Sequence, residues 1–255
     1  MKEPAIQIAT SGGVATLTLN RPEAKNSLSA DLVNALGDDL QQAIDDNDTR
    51  VIVLTNVGNT FCAGADLKGS SGEPPRYTLV QLFELMQACP KPIVGKINGH
   101  CMGGGVGLAS ACDISVVNDS VKLGFTEVRL GVAPAIISVV CLPKMRRADA
   151  MELFLSGEKI SAARAVEVGL INQLATPEQL NERVKTLTDK LVQGGPKALA
   201  ASKNIVLTVP DKPQRDAFVA MGKLSAELFQ SDEAKEGIAA FRERRSAAWV
   251  PEDNS

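Results

Sequence analysis

The chain has 255 residues, with 27 Lys plus Arg against 30 Asp plus Glu, one histidine and a formal net charge of −3. A balance on the acidic side excludes, at the level of bulk composition, the cationic surface that nucleic-acid binding needs. With 44% hydrophobic and 22% charged residues the composition is that of an ordinary globular protein, long enough for one large domain or two small ones around a sizeable core.

Two alternating stretches, Ala5 to Thr10 and Val14 to Leu19, are split by Ser11-Gly12-Gly13 and predict a hairpin with a glycine turn. The start, Met1 to Gly13, lacks the apolar core of a signal peptide, so a cytoplasmic protein is expected. Leu32, Val33, Leu36, Leu40, Ala43 and Ile44 then share one helical face behind a cap at Ser29, and Val51 to Thr55 is a short apolar strand. A second helix over Thr78 to Ala88 buries Leu79, Leu82, Phe83 and Met86, and a further strand, Ile93 to Ile97, follows Pro90 and Pro92. Helices alternating with buried strands are the pattern of parallel βαβ crossovers, and so of an α/β fold. Between them, Lys68 to Arg76 is rich in Gly, Ser and Pro and predicts a surface loop that is either a wall of a binding site or a tolerated insertion.

Asn98-Gly99-His100-Cys101-Met102-Gly103-Gly104-Gly105 leads from that strand into a predicted helix, Val106 to Cys112. Glycines let a ligand approach the backbone, and the first amides of a helix are unpaired donors that stabilise a negative oxygen. Phe61-Cys62-Ala63-Gly64-Ala65-Asp66-Leu67 is a second small-residue turn after a strand. Downstream, Glu127 stands in the mostly apolar segment Leu123 to Pro134, where desolvation raises a carboxyl pKa toward the range useful for proton transfer. Leu130 to Pro143 is uncharged but only fourteen residues long with two prolines, too short to span a membrane. Beyond Gly195, Lys197 to Leu207, Gln214 to Phe229 and Asp232 to Arg245 all read as helices, too few to hold a core alone.

Nucleotide-binding and lipase signatures are missing, and the five cysteines, odd in number and without a C-x-x-C pair, indicate neither a disulfide framework nor a thiolate metal site. A nucleophile at Cys62 or Cys101 with His100 as its base is the alternative to buried, structural cysteines.

Taken in order, Arg21-Pro22-Glu23-Ala24-Lys25-Asn26-Ser27-Leu28, the Ala63 to Leu67 turn, the Asn98 to Gly105 run, Ala111-Cys112-Asp113-Ile114, the Glu127 segment and Glu236-Gly237-Ile238-Ala239-Ala240-Phe241 resemble the enoyl-CoA hydratase/isomerase, or crotonase, family over almost the whole chain. The resemblance implies a crotonase-like spiral of ββα repeats over residues 1–195 and a helical C-terminal region, 196–255, used in trimerisation, commonly within a hexamer of two trimers. It makes the Ala65 and Gly104 amides an oxyanion hole for the carbonyl of an acyl-CoA thioester, with Glu127 as the proton-transfer residue. The same resemblance implies that Ala63 and the stretch Ala65, Asp66, Leu67 and Lys68 line the CoA moiety, that Lys25 and Arg244 meet its phosphates, with a solvated surface charge as the alternative for each, and that Phe241 packs near its adenine, often across a subunit boundary. No metal or separate cofactor is expected, since CoA arrives as part of the substrate; neither nucleic acid nor membrane is an expected partner.

One departure bears on mechanism. Typical hydratases of the family carry a second glutamate two positions after the glycine run, where this chain has Gly107. Two carboxylates divide the work of hydration, whereas one suffices to shuttle a proton between two carbons of an enolate, as an isomerase does. Against that, Gly103 to Leu108, Glu127-Val128-Arg129 and Pro134 to Ser138 resemble a bacterial subgroup described as hydratases. Hydration of an enoyl-CoA is therefore the first expectation, with double-bond isomerisation and non-catalytic acyl-CoA binding as alternatives. Asp66 is the nearest candidate for a second group, with a loop hydrogen bond as its other reading; Asp113 is expected to cap the turn between helix and strand, His100 to be structural, and Arg129 to pair with a substrate carboxylate or a neighbouring helix.

Overall fold

A computed structural model describes residues 3–67, 69 and 74–251. The expected hairpin is present: β1 (Ile6–Ser11) pairs antiparallel with β2 (Val14–Leu19) through Gly12 and Gly13, both at positive φ. Helix α1 (Ala30–Asp45) starts at Ser29, whose hydroxyl accepts the Leu32 N–H, and buries Leu32, Val33, Leu36 and Leu40 along one face. Next come β3 (Val51–Asn56), a short β4 (Thr60–Cys62) and α2 (Leu79–Ala88), which opens with a capping box between Thr78 and Gln81. The same sequence of elements repeats as β5 (Ile93–Ile97), β6 (His100–Met102) and α3 (Gly104–Ala111), and again as β7 (Ile114–Asn118), β8 (Lys122–Gly124), a 3-10 turn over Thr126–Leu130 and α4 (Ala135–Cys141). After these follow α5 (Arg147–Ser156), β9 (Lys159–Ser161), α6 (Ala162–Glu167), β10 (Gln173–Ala175) and α7 (Leu180–Val192), then α8 (Pro196–Thr208), α9 (Gln214–Gln230) and α10 (Asp232–Glu243).

Each repeat adds one strand to each of two sheets. The first sheet runs β1-β2-β3-β5-β7-β10 and is parallel from β2 onward; the second runs β4-β6-β8-β9, parallel through β8. This is the expected α/β spiral. The second sheet escaped sequence reading because its strands are three residues long, too short for a period-two pattern.

Strand β3 is buried on both faces, which is why it reads as a continuous apolar run. Ile52 and Leu54 enter the main core with residues of α1, α2, α3 and α4, while Val51 and Val53 point the other way and pack with Val94, Val116 and the α7 residues Leu180 and Val184. Among the described residues α8 and α9 bury no side chain fully and α10 buries only Ala240. Helix α8 is nevertheless tied to the body by Lys203, whose ammonium pairs with Asp113 at 2.9 Å and donates to the Met86 carbonyl.

Candidate active site

The site lies where the second strand of a repeat turns into its helix. Gly103 caps α3 at φ 51, ψ −120, a conformation side chains rarely adopt, and its N–H donates to the Gly124 carbonyl, extending the β6–β8 pairing by one residue. Gly104 is then the first helical residue. On the neighbouring strand, Cys62 leads into Gly64 at φ 87 and Ala65. The two turns touch: a methyl group added at Gly64 would stand 2.8 Å from the Met102 carbonyl oxygen and 3.1 Å from the Gly104 nitrogen. Among the described residues, neither the Ala65 nor the Gly104 N–H donates a hydrogen bond within the protein. Two small-residue turns far apart in sequence thus present unused amides from adjoining loops.

The outer strap of this arrangement is the Arg21 to Leu28 segment. Its Lys25 carbonyl accepts the Ala63 N–H at 3.0 Å, and the Leu28 N–H donates to the Gly64 carbonyl at 2.8 Å. Asn26, fully buried at φ 48, holds the segment by accepting from the Arg21 N–H and donating to the Val57 and Thr60 carbonyls. The backbone therefore carries the exposed Lys25 beside Ala63 and Ala65. Ala65 is exposed, Asp66 half-buried and Leu67 75% exposed, so this turn faces outward; Lys68 lies outside the described residues. Of the predicted surface loop, residues 70–73 also lie outside them, and its far end is fastened to α1 by Asn34, which accepts the Arg76 and Tyr77 N–H groups and donates to the Pro74 carbonyl.

Glu127 sits in the 3-10 turn, which follows the fully buried Phe125; that ring packs on Phe154 with centroids 4.3 Å apart. Its carboxylate rests on the start of α3: a methyl group at Gly103 would lie 3.1 Å from Oε1. Oε2 is buried with no hydrogen-bond partner among the described residues, and burial raises the carboxyl pKa above the ordinary 4.5. One helical turn beyond Gly103, Gly107 faces Ile137 of α4 and Phe83 of α2 at distances that leave no room for any side chain. Sequence reasoning placed Glu127, Ala65 and Gly104 but missed Gly103 as the floor under the carboxylate and Ile137 as the filler beside Gly107; the i, i+4 spacing of the two glycines was the available signal.

Other candidates fall outside this arrangement. Phe241 is 85% exposed on α10 and Arg244 caps that helix without a side-chain partner among the described residues, so neither side chain is packed into the Glu127 site of its own chain. His100 accepts the Lys122 N–H through Nδ1 at 3.0 Å and serves the edge between β6 and β8. All five cysteines are free and buried, and burial pushes the thiols of Cys62 and Cys112 up to about 12 and that of Cys101 well above its ordinary value, which removes the nucleophile reading. Asp113 is not a simple turn cap: it accepts the Ile93 N–H at 2.7 Å and pairs with Lys203 across the fold. The Arg129 side chain lies against Gly157. Among the described residues no group of three His, Cys, Asp or Glu side chains is placed to hold a metal ion, and no helix is long and apolar enough to cross a membrane.

Comparison with known proteins places the whole chain in context. The model of the family described as enoyl-CoA hydratase/isomerase matches residues 9–252. The (E)-benzylidenesuccinyl-CoA hydratase of Thauera aromatica is 33% identical over 96% of this chain and 98% of its own. The carnitinyl-CoA dehydratase of Proteus mirabilis is 30% identical over 96% of this chain and 98% of its own. Among solved structures, an enoyl-CoA hydratase of Mycobacterium smegmatis superposes with a TM-score of 0.88 at 29% identity, covering 97% of this chain and 99% of that one.

Proposed function

The chain belongs to the enoyl-CoA hydratase/isomerase family, and on that footing we propose that it reversibly adds water to an α,β-unsaturated acyl-CoA thioester through an enolate. The observation that carries this reading is the buried Oε2 of Glu127, without a hydrogen-bond partner among the described residues, beside the glycine start of α3. In this mechanism the thioester oxygen accepts hydrogen bonds from the Ala65 and Gly104 N–H groups, at a helix end whose dipole favours negative charge. The ionised Glu127 takes a proton from water as the water oxygen bonds to Cβ. The double-bond electrons move onto the thioester oxygen, and the Glu127 carboxyl then returns a proton to Cα as the thioester reforms. Each amide contributes about 3 kcal/mol if it acts as such donors do elsewhere.

Ala63, Ala65, Asp66, Leu67 and Lys68 form the CoA-lining turn in this proposal. Lys25, which the Arg21 to Leu28 strap carries to that turn, meets the phosphates. Arg244, which caps α10, joins Lys25 on the phosphates, and Phe241 packs near the adenine across a subunit boundary, a role that suits its exposure on α10. Residues 1–195 are the catalytic body and 196–255 the assembly region of a homotrimer or hexamer. Five free, buried cysteines suit operation in a reducing, cytoplasmic setting.

The apolar packing around Gly107 favours one second reading, double-bond isomerisation, because it leaves Glu127 to move every proton. Incubation of the purified protein with conjugated enoyl-CoA thioesters decides between them: hydration removes the conjugated absorbance, and isomerisation of a β,γ-unsaturated thioester creates it. Glu127→Gln is expected to lower either rate at least about 10²-fold. Unchanged turnover in that variant would reject Glu127 as the acid, and tight thioester binding without turnover on any enoyl substrate would leave only a binding protein.

A further inference from the structure

The face of α3 that begins at Gly103 continues at Gly107, and what stands against each position is of opposite character. At Gly103 it is the Glu127 carboxylate, with Oε1 3.1 Å from where a methyl would be. At Gly107 it is hydrocarbon: the same added methyl would lie 2.4 Å from Ile137 Cγ2, 2.8 Å from Ile137 Cβ and 3.1 Å from Phe83 Cζ. Ile137 and Phe83 are 3% and 4% exposed, so the contact is closed to water. A contact of 2.4 Å to a β-branched side chain on a packed helix is not relieved by a rotamer change, since Ile is stiff at χ1 and its Cβ is also too close.

We infer that Ile137 is a specificity-determining residue: by occupying the space next to Gly107 it keeps a second acid out of this face of α3, one helical turn beyond Gly103, where the Glu127 carboxylate rests. The inference deepens the reading of Glu127 as the proton-transfer residue and rests on it. A carboxylate introduced at 107 alone would have to displace Ile137 and would be buried among hydrocarbon, two costs that act together. Relieving the steric one by shortening Ile137 is the condition for a second acid to stand one helical turn from Gly103, on which the Glu127 carboxylate rests.

The test is a pair of double-mutant cycles on the full chain. In the first, Gly107→Ala is expected to lower Tm and Ile137→Ala to restore part of that loss when combined with it; strictly additive Tm shifts would overturn the contact. In the second, Gly107→Glu alone is expected to lower both Tm and turnover, whereas Gly107→Glu combined with Ile137→Ala hydrates at least about tenfold faster than Ile137→Ala alone and adds a second ionisation to the pH profile of kcat/KM. A Gly107→Glu single variant with the parent's Tm and rate would refute the exclusion by Ile137. So would a folded double variant with neither the rate gain nor the second ionisation. Glu127→Gln in each background separates the two claims: if it leaves turnover intact the acid assignment fails, while the coupling in Tm between positions 107 and 137 is read without reference to activity.

Discussion

Glu127 is a partly buried carboxyl group with one oxygen shielded from water, and two expectations follow from the direction of its pKa. Because burial raises it above 4.5, and because hydration starts from the ionised form, the acid limb of kcat/KM is expected above that value; a limb at or below it would show that the group is solvated in the working enzyme. The sign for stability is the reverse of an ordinary paired carboxylate. A folded-state pKa above the unfolded one penalises the charged form, so stability is lost as pH rises through the folded pKa. Glu127→Gln should therefore melt above the parent at neutral pH, with the gap closing in acid, as thermal scans at several pH values would reveal. The second residue-scale case is Gly64. Its φ of 87 and the 2.8 Å and 3.1 Å approaches to Met102 and Gly104 leave no place for a methyl. Gly64→Ala is expected to cost about 1–3 kcal/mol in chemical denaturation and, by moving the adjoining amides, to slow turnover about 10²-fold.

At the scale of elements, the repeat explains why two turns distant in sequence meet. Parallel pairing of β4, β6 and β8 sets the end of each short strand beside the next, so the chain leaves β4 at Gly64 next to the point where it leaves β6 at Gly103 and next to β8, after which Glu127 follows. The fastening of α8 to this body is also an element-scale matter. Lys203 and Asp113 form a shielded pair at 2.9 Å, and burial holds the Asp113 carboxyl above its usual value while Lys203 opposes that rise. Lys203→Met leaves the desolvated carboxylate without its ammonium partner, and is expected to destabilise the chain by about 3 kcal/mol at neutral pH. The loss should shrink as pH falls through the Asp113 pKa, since a protonated carboxyl no longer needs the ammonium; a pH-independent deficit would deny the pairing.

At the scale of the whole molecule, the C-terminal helices stand out for what they expose. Phe218, Val219 and Phe229 on α9 and Phe241 on α10 are each more than two-thirds accessible, and Leu130, Val139 and Leu155 on the body are similarly bare. Exposed apolar surfaces of this kind are where chains associate. Sedimentation velocity is expected to show three or six copies, and Phe218→Asp with Phe229→Asp to shift the species toward monomer; a parent chain that sediments as a monomer would withdraw the assembly proposal together with the role of Phe241 across a boundary.

Much of this was legible in the primary structure. The hairpin, α1, α2 and the three C-terminal helices follow from periodicity and caps, because those signals are local, and Glu127, Ala65 and Gly104 were singled out from ordered motifs. The second sheet was not, because three-residue strands acquire their identity from partners elsewhere in the chain. Nor was the environment of Glu127: that one of its oxygens is buried and without a partner among the described residues, that Gly103 is its floor, and that Ile137 fills the place beside Gly107 all depend on which helix packs against which. Sequence by itself determined the family and the residues proposed to carry the chemistry, since residue type and local conformation are encoded there. Only the tertiary structure decided what surrounds them, since desolvation and close packing belong to pairs of residues that the chain brings together from far apart.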